Sequence, residues 1–191
     1  MARIGSLDDD LVGHLVTQRS QDMTISSLFL DETLNGFFQK FGLKSQELTD
    51  LIFQSPIFEQ NKRGIIAAGL EAYFNNDHII ATHLLVPQIE DSIRNLVELT
   101  GGSVLKPNRS GGIQLRTFDD ILRDECIIEV FDEDFSFYLR IFFTDQRGWN
   151  IRNSVCHGMC PTDTFQKHIT DRLIHAFICL AQVQEKKQET A

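Results

Sequence analysis

A chain of 191 residues with 42% hydrophobic side chains, including fifteen Phe, carries enough apolar material for one compact domain with an appended extension. Its formal charge of −9 excludes a surface that tracks nucleic acid along its whole length, since such binding draws its affinity from neutralised phosphates, yet leaves room for a small basic site. Four cysteines, at 126, 156, 160 and 179, are too sparse for a secreted disulfide scaffold and point to reduced thiols in the cytoplasm; no apolar run is long enough to span a bilayer, and no basic-then-apolar leader opens the chain.

Apolar spacing predicts helices almost throughout. Residues 7–18 place Leu7, Leu11, Val12, Leu15 and Val16 on one face, with Ser6 as N-cap and Asp8 to Asp10 in the first turn. A second helix is expected over 28–40, stopped by Gly42, and a third over 46–53, ended by Ser55-Pro56. Residues 57–74 form the next, and Asn75-Asn76-Asp77 caps the longest, 77–100, closed by Gly101-Gly102. Pro87 predicts a kink between His83 and Pro87, with Ile80, Leu84, Ile89, Ile93, Leu96 and Val97 as the inner stripe.

The glycine-rich residues 101–114, carrying Lys106 and Arg109, are expected to be a loop and a mobile flap. Short helices follow over 117–123, 126–131 and 133–143, although the β-branched and aromatic content of 127–143 keeps a strand reading open. A last helix is predicted over 164–184, fraying into a charged tail. The expected architecture is an all-α bundle, divided into an N-terminal helical extension (1–56), a helical domain (57–185) and a flexible tail (186–191).

Chemistry concentrates in Arg152-Asn153-Ser154-Val155-Cys156-His157-Gly158, which follows the turn-like Asp145-Gln146-Arg147-Gly148. A guanidinium offers a two-pronged fork for a phosphate, an imidazole exchanges a proton near neutral pH, and the Asn153 amide orients either. With Asn150 as N-cap and Gly158 just past the end, residues 150–157 make a short helix. Arg152 and His157 would then stand about 140° apart around its axis. Arginine's long stem and a fraying last turn narrow that angle, and a second subunit across a two-fold axis is another way to complete the site. Cys156-His157 with Cys160 is too small a set for a zinc site, so neither metal nor cofactor is expected, and neighbours on a helix point too far apart for Cys156 and His157 to act as a dyad.

The string Asn150 to Gly158 resembles the Arg-Asn-x-x-x-His-Gly signature of a family of bacterial and eukaryotic domains of unknown function, a family that is itself similar to the HEPN superfamily of helical nucleotide-binding domains. The segment His83-Leu84-Leu85-Val86-Pro87-Gln88-Ile89-Glu90, with Arg94 one turn on, is similar to the same family, and the resemblance covers roughly residues 57 to 180. It implies a helical bundle that forms a homodimer and, in active members, cleaves RNA without metal, as toxins, in anti-phage defence or in RNA processing. Arg152 would stabilise the phosphate, His157 would act as base or acid on the 2′-hydroxyl, and Asn153 would assist. Arg147, Asn150, His83, Glu90 and Arg94 are candidate contacts to RNA or nucleotide. For the last three the alternative is a polar network tying the long helix to the bundle. Against the enzyme stand a non-catalytic binding or dimerisation module, and an acidic antitoxin-like regulator that masks a basic protein partner.

Overall fold

The computed structural model describes Ser6 and residues 9–185, and among these it is an all-α bundle of ten α-helices with one two-stranded sheet. The helices in chain order are α1 (Leu11–Ile25), α2 (Ser27–Phe41), α3 (Ser45–Ile52), α4 (Arg63–Phe74), α5 (His78–Leu99), α6 (Phe118–Leu122), α7 (Glu125–Phe131), α8 (Glu133–Phe143), α9 (Ile151–Cys156) and α10 (Lys167–Leu180). Single 3-10 turns, Gln60–Lys62 and Thr162–Thr164, precede α4 and α10. The strand alternative for 127–143 gives way to α7 and α8, whose starts are capped by the Asp124 and Asp132 carboxylates.

Leu7 lies outside the described residues, and Ser6 is not the cap of α1. Asp10 is: its carboxylate accepts the Gly13 amide at 2.9 Å. Gly13 makes this possible, because a Cβ there would stand 2.7 Å from Asp10 Cγ. The helix therefore starts at Leu11, and Leu11, Val12 and Leu15 are exposed rather than inward-facing. Helix α2 stops at Gly42, in the left-handed conformation (φ 63°) that a side chain rarely adopts. Residues 57–62, expected to be helical, are instead a turn with Ile57 and Phe58 buried, and α4 begins at Arg63.

Helix α5 is the centre of the bundle, packed on α4, α10 and α9. Asp77 caps it, accepting the Ile80 amide, and it continues helical through Pro87. Its buried stripe is Ala81, Leu85, Ile89, Ile93 and Val97, an unbroken i, i+4 series. Ile80 is half-exposed and Leu84 partly so, because the helix keeps one phase on both sides of the proline. The expected loop at 101–114 contains an antiparallel hairpin, β1 (Leu105–Pro107) and β2 (Ile113–Leu115), whose turn is closed by Asn108 Oδ1 accepting the amides of Ser110 and Gly112. Lys106 and Arg116 tie it to Asp120 and Asp124.

Helices α1 to α3 bury Val16, Leu34, Leu48 and Ile52 in the same core as Phe142, Phe143 and Phe177. Arg172 of α10, 5% exposed, fastens this region. It donates to the Met23 carbonyl and, at 2.8 Å, to Ser26 Oγ, placing a cation at the negative end of α1. Its guanidinium also lies 5.4 Å from the Trp149 ring, and the Trp149 indole donates to the Ser20 carbonyl. Trp149 immediately precedes the motif, so α1 and α10 together fix where α9 starts. The predicted last helix, 164–184, begins late, at Lys167, because Gln166 is extended (ψ 163°), and ends at Leu180; the tail 186–191 lies outside the described residues. No helix among them is long and apolar enough to cross a membrane.

Candidate functional site

Helix α9 is shorter than the motif suggests, and both ends depart from a plain helix. Asn150 stands at its N-cap position in the left-handed region (φ 49°, ψ 34°), and its side chain caps nothing. Its Oδ1 accepts instead from Asn153 Nδ2 at 2.7 Å. Asparagine tolerates this backbone better than most side chains, and here it exchanges the expected cap for control of Asn153. At the other end His157 is the cap residue (φ −97°, ψ 3°), followed by Gly158 at φ 66°. The Met159 amide donates to the Ser154 carbonyl and the Gly158 amide to Val155, the paired bonds of a Schellman stop.

Because His157 has left the helical path, the 140° between ideal helix positions no longer applies. Arg152, Asn153 and His157 line one cavity of about 570 Å³ within a single chain, with Arg147 and Gln146 on the preceding turn. Its far wall comes from α6 and the end of α8, chiefly Asp119, Arg123 and Thr144.

Arg152 is held from behind. Its Nε donates to Glu90 Oε2 at 2.6 Å and its Nη2 to Oε1 at 3.3 Å, while Nη1 donates to Asn153 Oδ1 at 3.1 Å. A guanidinium has five N–H groups, so one on each Nη remains for a ligand. Glu90, 8% exposed, also accepts from Arg94 Nη2 at 2.6 Å and Nε at 3.3 Å, and Arg94 donates onward to the Arg116 carbonyl at 2.9 Å. Glu90 and Arg94 thus stand behind the cavity and do not line it. His83 is remote from it: its ring packs on Phe165 at 4.9 Å and its Nδ1 meets the Ile79 carbonyl. Asn150 reaches the cavity only through Asn153.

The cavity's charges are nearly balanced. Arg147 holds Asp145 through Nε and Nη2 at 3.1 Å each, and Asp10 through Nη1 at 3.2 Å. Hydrogen bonding to Asp145 pushes the Arg147 guanidinium up, while burial, which alone would raise Asp145, is outweighed by those same bonds, so its carboxyl sits below the usual range. Asp119 is arranged likewise. Burial raises it, but Arg123 (2.8 Å) and the Thr144 hydroxyl (3.0 Å) bring it below the ordinary value.

His157 is exposed, and its imidazole has no hydrogen-bond partner among the described residues. Burial pushes the Cys156 thiol up, against Arg152's opposing effect, so a ready thiolate is absent beside it. Among the described residues no three His, Cys, Asp or Glu side chains gather in a metal-binding group.

Asp119 and Arg123 were not singled out from the sequence. The capping box at Thr117 and Asp120 marks where α6 begins, but nothing in the spacing says which helix it faces. No family model, curated protein or solved structure matches the chain.

Proposed function

We propose that the chain is a HEPN-like, metal-independent endoribonuclease with Arg152 and His157 as its catalytic pair and Asn153 as their auxiliary. The observation that carries this reading is a pinned guanidinium and an imidazole with no hydrogen-bond partner among the described residues, both lining one polar cavity. The two N–H groups left on Arg152 meet the non-bridging oxygens of a phosphodiester, whose charge grows as the 2′-oxygen attacks. His157 takes the 2′-hydroxyl proton; the 2′-oxygen–phosphorus bond forms, the bond to the 5′-oxygen breaks, and that oxygen leaves protonated. The product end is a 2′,3′-cyclic phosphate. Homodimerisation would bring a second His157 as the acid, and an activity of this kind suits a toxin or defence role in the cytoplasm.

A second reading, a non-catalytic nucleotide-binding module, is favoured by one feature. Each arginine of the cavity already carries a carboxylate: Arg123 has Asp119, Arg147 has Asp145 and Arg152 has Glu90. Incubation of RNA with the chain in EDTA separates the two. Cleavage by the wild type and none by His157→Ala supports the enzyme; tight RNA binding by both with no cleavage by either supports the module.

A further inference from the structure

Arg19, Arg123 and Arg140 line a second cavity, of about 520 Å³, bounded by α1, α8 and the end of α6. Arg123 lines the Arg152 cavity as well, so the two adjoin. One carboxylate, Asp119, serves two of these three guanidiniums. Its Oδ2 accepts from Arg123 Nε at 2.8 Å, and its Oδ1 is taken by the Thr144 hydroxyl at 3.0 Å. Arg140 Nε stands 3.5 Å from that Oδ1, buried and without a hydrogen-bond partner, on a side chain only 14% exposed. Arg19 is 3.8 Å from Asp22, too far for a hydrogen bond. Among the described residues the three side chains thus make a single hydrogen bond, that of Arg123 to Asp119.

A mostly buried cation is costly to leave unpaired, and a second cation beside it raises the cost. Burial and the Arg123 charge push the Arg140 guanidinium down from its ordinary value, and the opposing pull of Asp119 does not restore it. Glu133 and Asp134 also line the cavity, but both are exposed first-turn acids at the positive end of α8, and among the described residues neither bonds any of the three arginines. An anion with several oxygens can meet more than one of these guanidiniums at once. A phosphate does so with paired N–H···O bonds, the geometry for which arginine is suited.

Resting on the ribonuclease reading, we infer that Arg140, with Arg123 and Arg19, forms a phosphate-binding subsite that holds the RNA backbone next to the phosphate being cut. Arg123, which faces both cavities, joins the subsite to Arg152 and His157.

The test uses the full chain carrying His157→Ala, which binds without cutting, and a fluorescent twelve-nucleotide RNA titrated over a range of salt concentrations. Adding Arg140→Gln is expected to weaken binding about tenfold, the scale of one charge-assisted contact, and to reduce the slope of log affinity on log salt by about 0.7, the share of one phosphate on a single strand. The thermal midpoint stays equal or rises, because a mostly buried, unpaired cation has been removed. A purely structural arginine would instead lower the midpoint and leave the slope unchanged. Arg19→Gln, at an exposed position, should reduce the slope in the same direction and keeps the test decisive if Arg140→Gln does not fold. Unchanged affinity and slope in every variant that folds overturn the inference. If the parent chain binds no RNA, the ribonuclease reading fails; a thermal midpoint raised by tripolyphosphate in the parent but not in Arg140→Gln then supports the subsite as a polyphosphate site, and no such rise removes it too.

Discussion

Replacement of Glu90 by glutamine tests whether the site depends on what stands behind it. Three of the four contacts to this side chain fall on Oε1, from Arg94 Nε, Arg94 Nη2 and Arg152 Nη2; the fourth, from Arg152 Nε at 2.6 Å, falls alone on Oε2. In glutamine one oxygen becomes an NH2 group, which cannot accept. The less costly orientation keeps the oxygen at Oε1 and turns the NH2 toward Arg152 Nε, so donor faces donor there and Arg152 keeps only its longer 3.3 Å bond to Oε1 while Arg94 stays bound. Losing one charge-assisted hydrogen bond costs about 2 kcal/mol, or about 6 °C in the thermal midpoint of a chain this long. Glu90→Ala strips both guanidiniums, and with their side chains only 18% and 27% exposed the cost rises to about 3–5 kcal/mol. Urea unfolding at constant m measures both variants. RNA cleavage in EDTA should fall about 10²-fold in kcat for Glu90→Gln, as a misplaced catalytic group loses its alignment. A glutamine variant as active as the wild type, or less stable than the alanine variant, refutes this account of how Arg152 is held.

Three further outcomes follow from the packing. Gly148→Ala should cost about 1–3 kcal/mol in urea unfolding, since the Ile141 carbonyl blocks the new methyl group, and should weaken RNA binding by moving the turn that carries Gln146 and Arg147; a neutral effect on both would contradict the close approach. Tyr73 donates to buried Asp171 Oδ1 at 2.7 Å, a carboxylate that the half-exposed Lys167 also bonds, so Tyr73→Phe should lose about 1–2 kcal/mol by thermal unfolding, and no loss would remove that bond from the stability of the bundle. Burial holds the imidazoles of His78, His168 and His175 below their ordinary value. The unfolded chain takes up these protons near pH 6.5 while the folded chain resists them, so this stability is complete above about 6.5 and declines as the pH falls toward 5. A urea midpoint that holds constant or rises from pH 7 to pH 5 would refute that assignment.

Much of the fold was legible because its signals are local. Asp77, Gly42 and Gly158 act through neighbours within one turn, and the apolar period on either side of them is clear. Errors arose where a local signal had several solutions. Ser6 and any of Asp8, Asp9 and Asp10 satisfy the cap pattern, and only the space beside Gly13 selects Asp10. Ile80 and Leu84 satisfy the apolar period of α5 as well as their neighbours do, and only the packing of the helix selects the stripe from Ala81 to Val97 instead. The hairpin was hidden because its strands are three residues each, too short to show alternation among glycines.

The site divides along the same line. Arg152, Asn153, His157 and Arg147 lie within eleven residues of one another and were readable together. Glu90 and Arg94 were readable as residues but not as supports, because their placement behind Arg152 depends on how α5 packs against α9. Asp119 of α6 and Arg123 just past its end reach the site through tertiary contacts.

The most direct test of the central claim is the chemistry of the cut ends. Purified chain is incubated with a defined RNA in EDTA, and the products are weighed by mass spectrometry beside those of His157→Ala and Arg152→Lys. The account predicts a 2′,3′-cyclic phosphate and a 5′-hydroxyl from the wild type, no product from His157→Ala, and strong loss in Arg152→Lys, whose ammonium lacks the fork. Intact RNA from the wild type, 5′-phosphate ends, or equal cleavage by His157→Ala would contradict it.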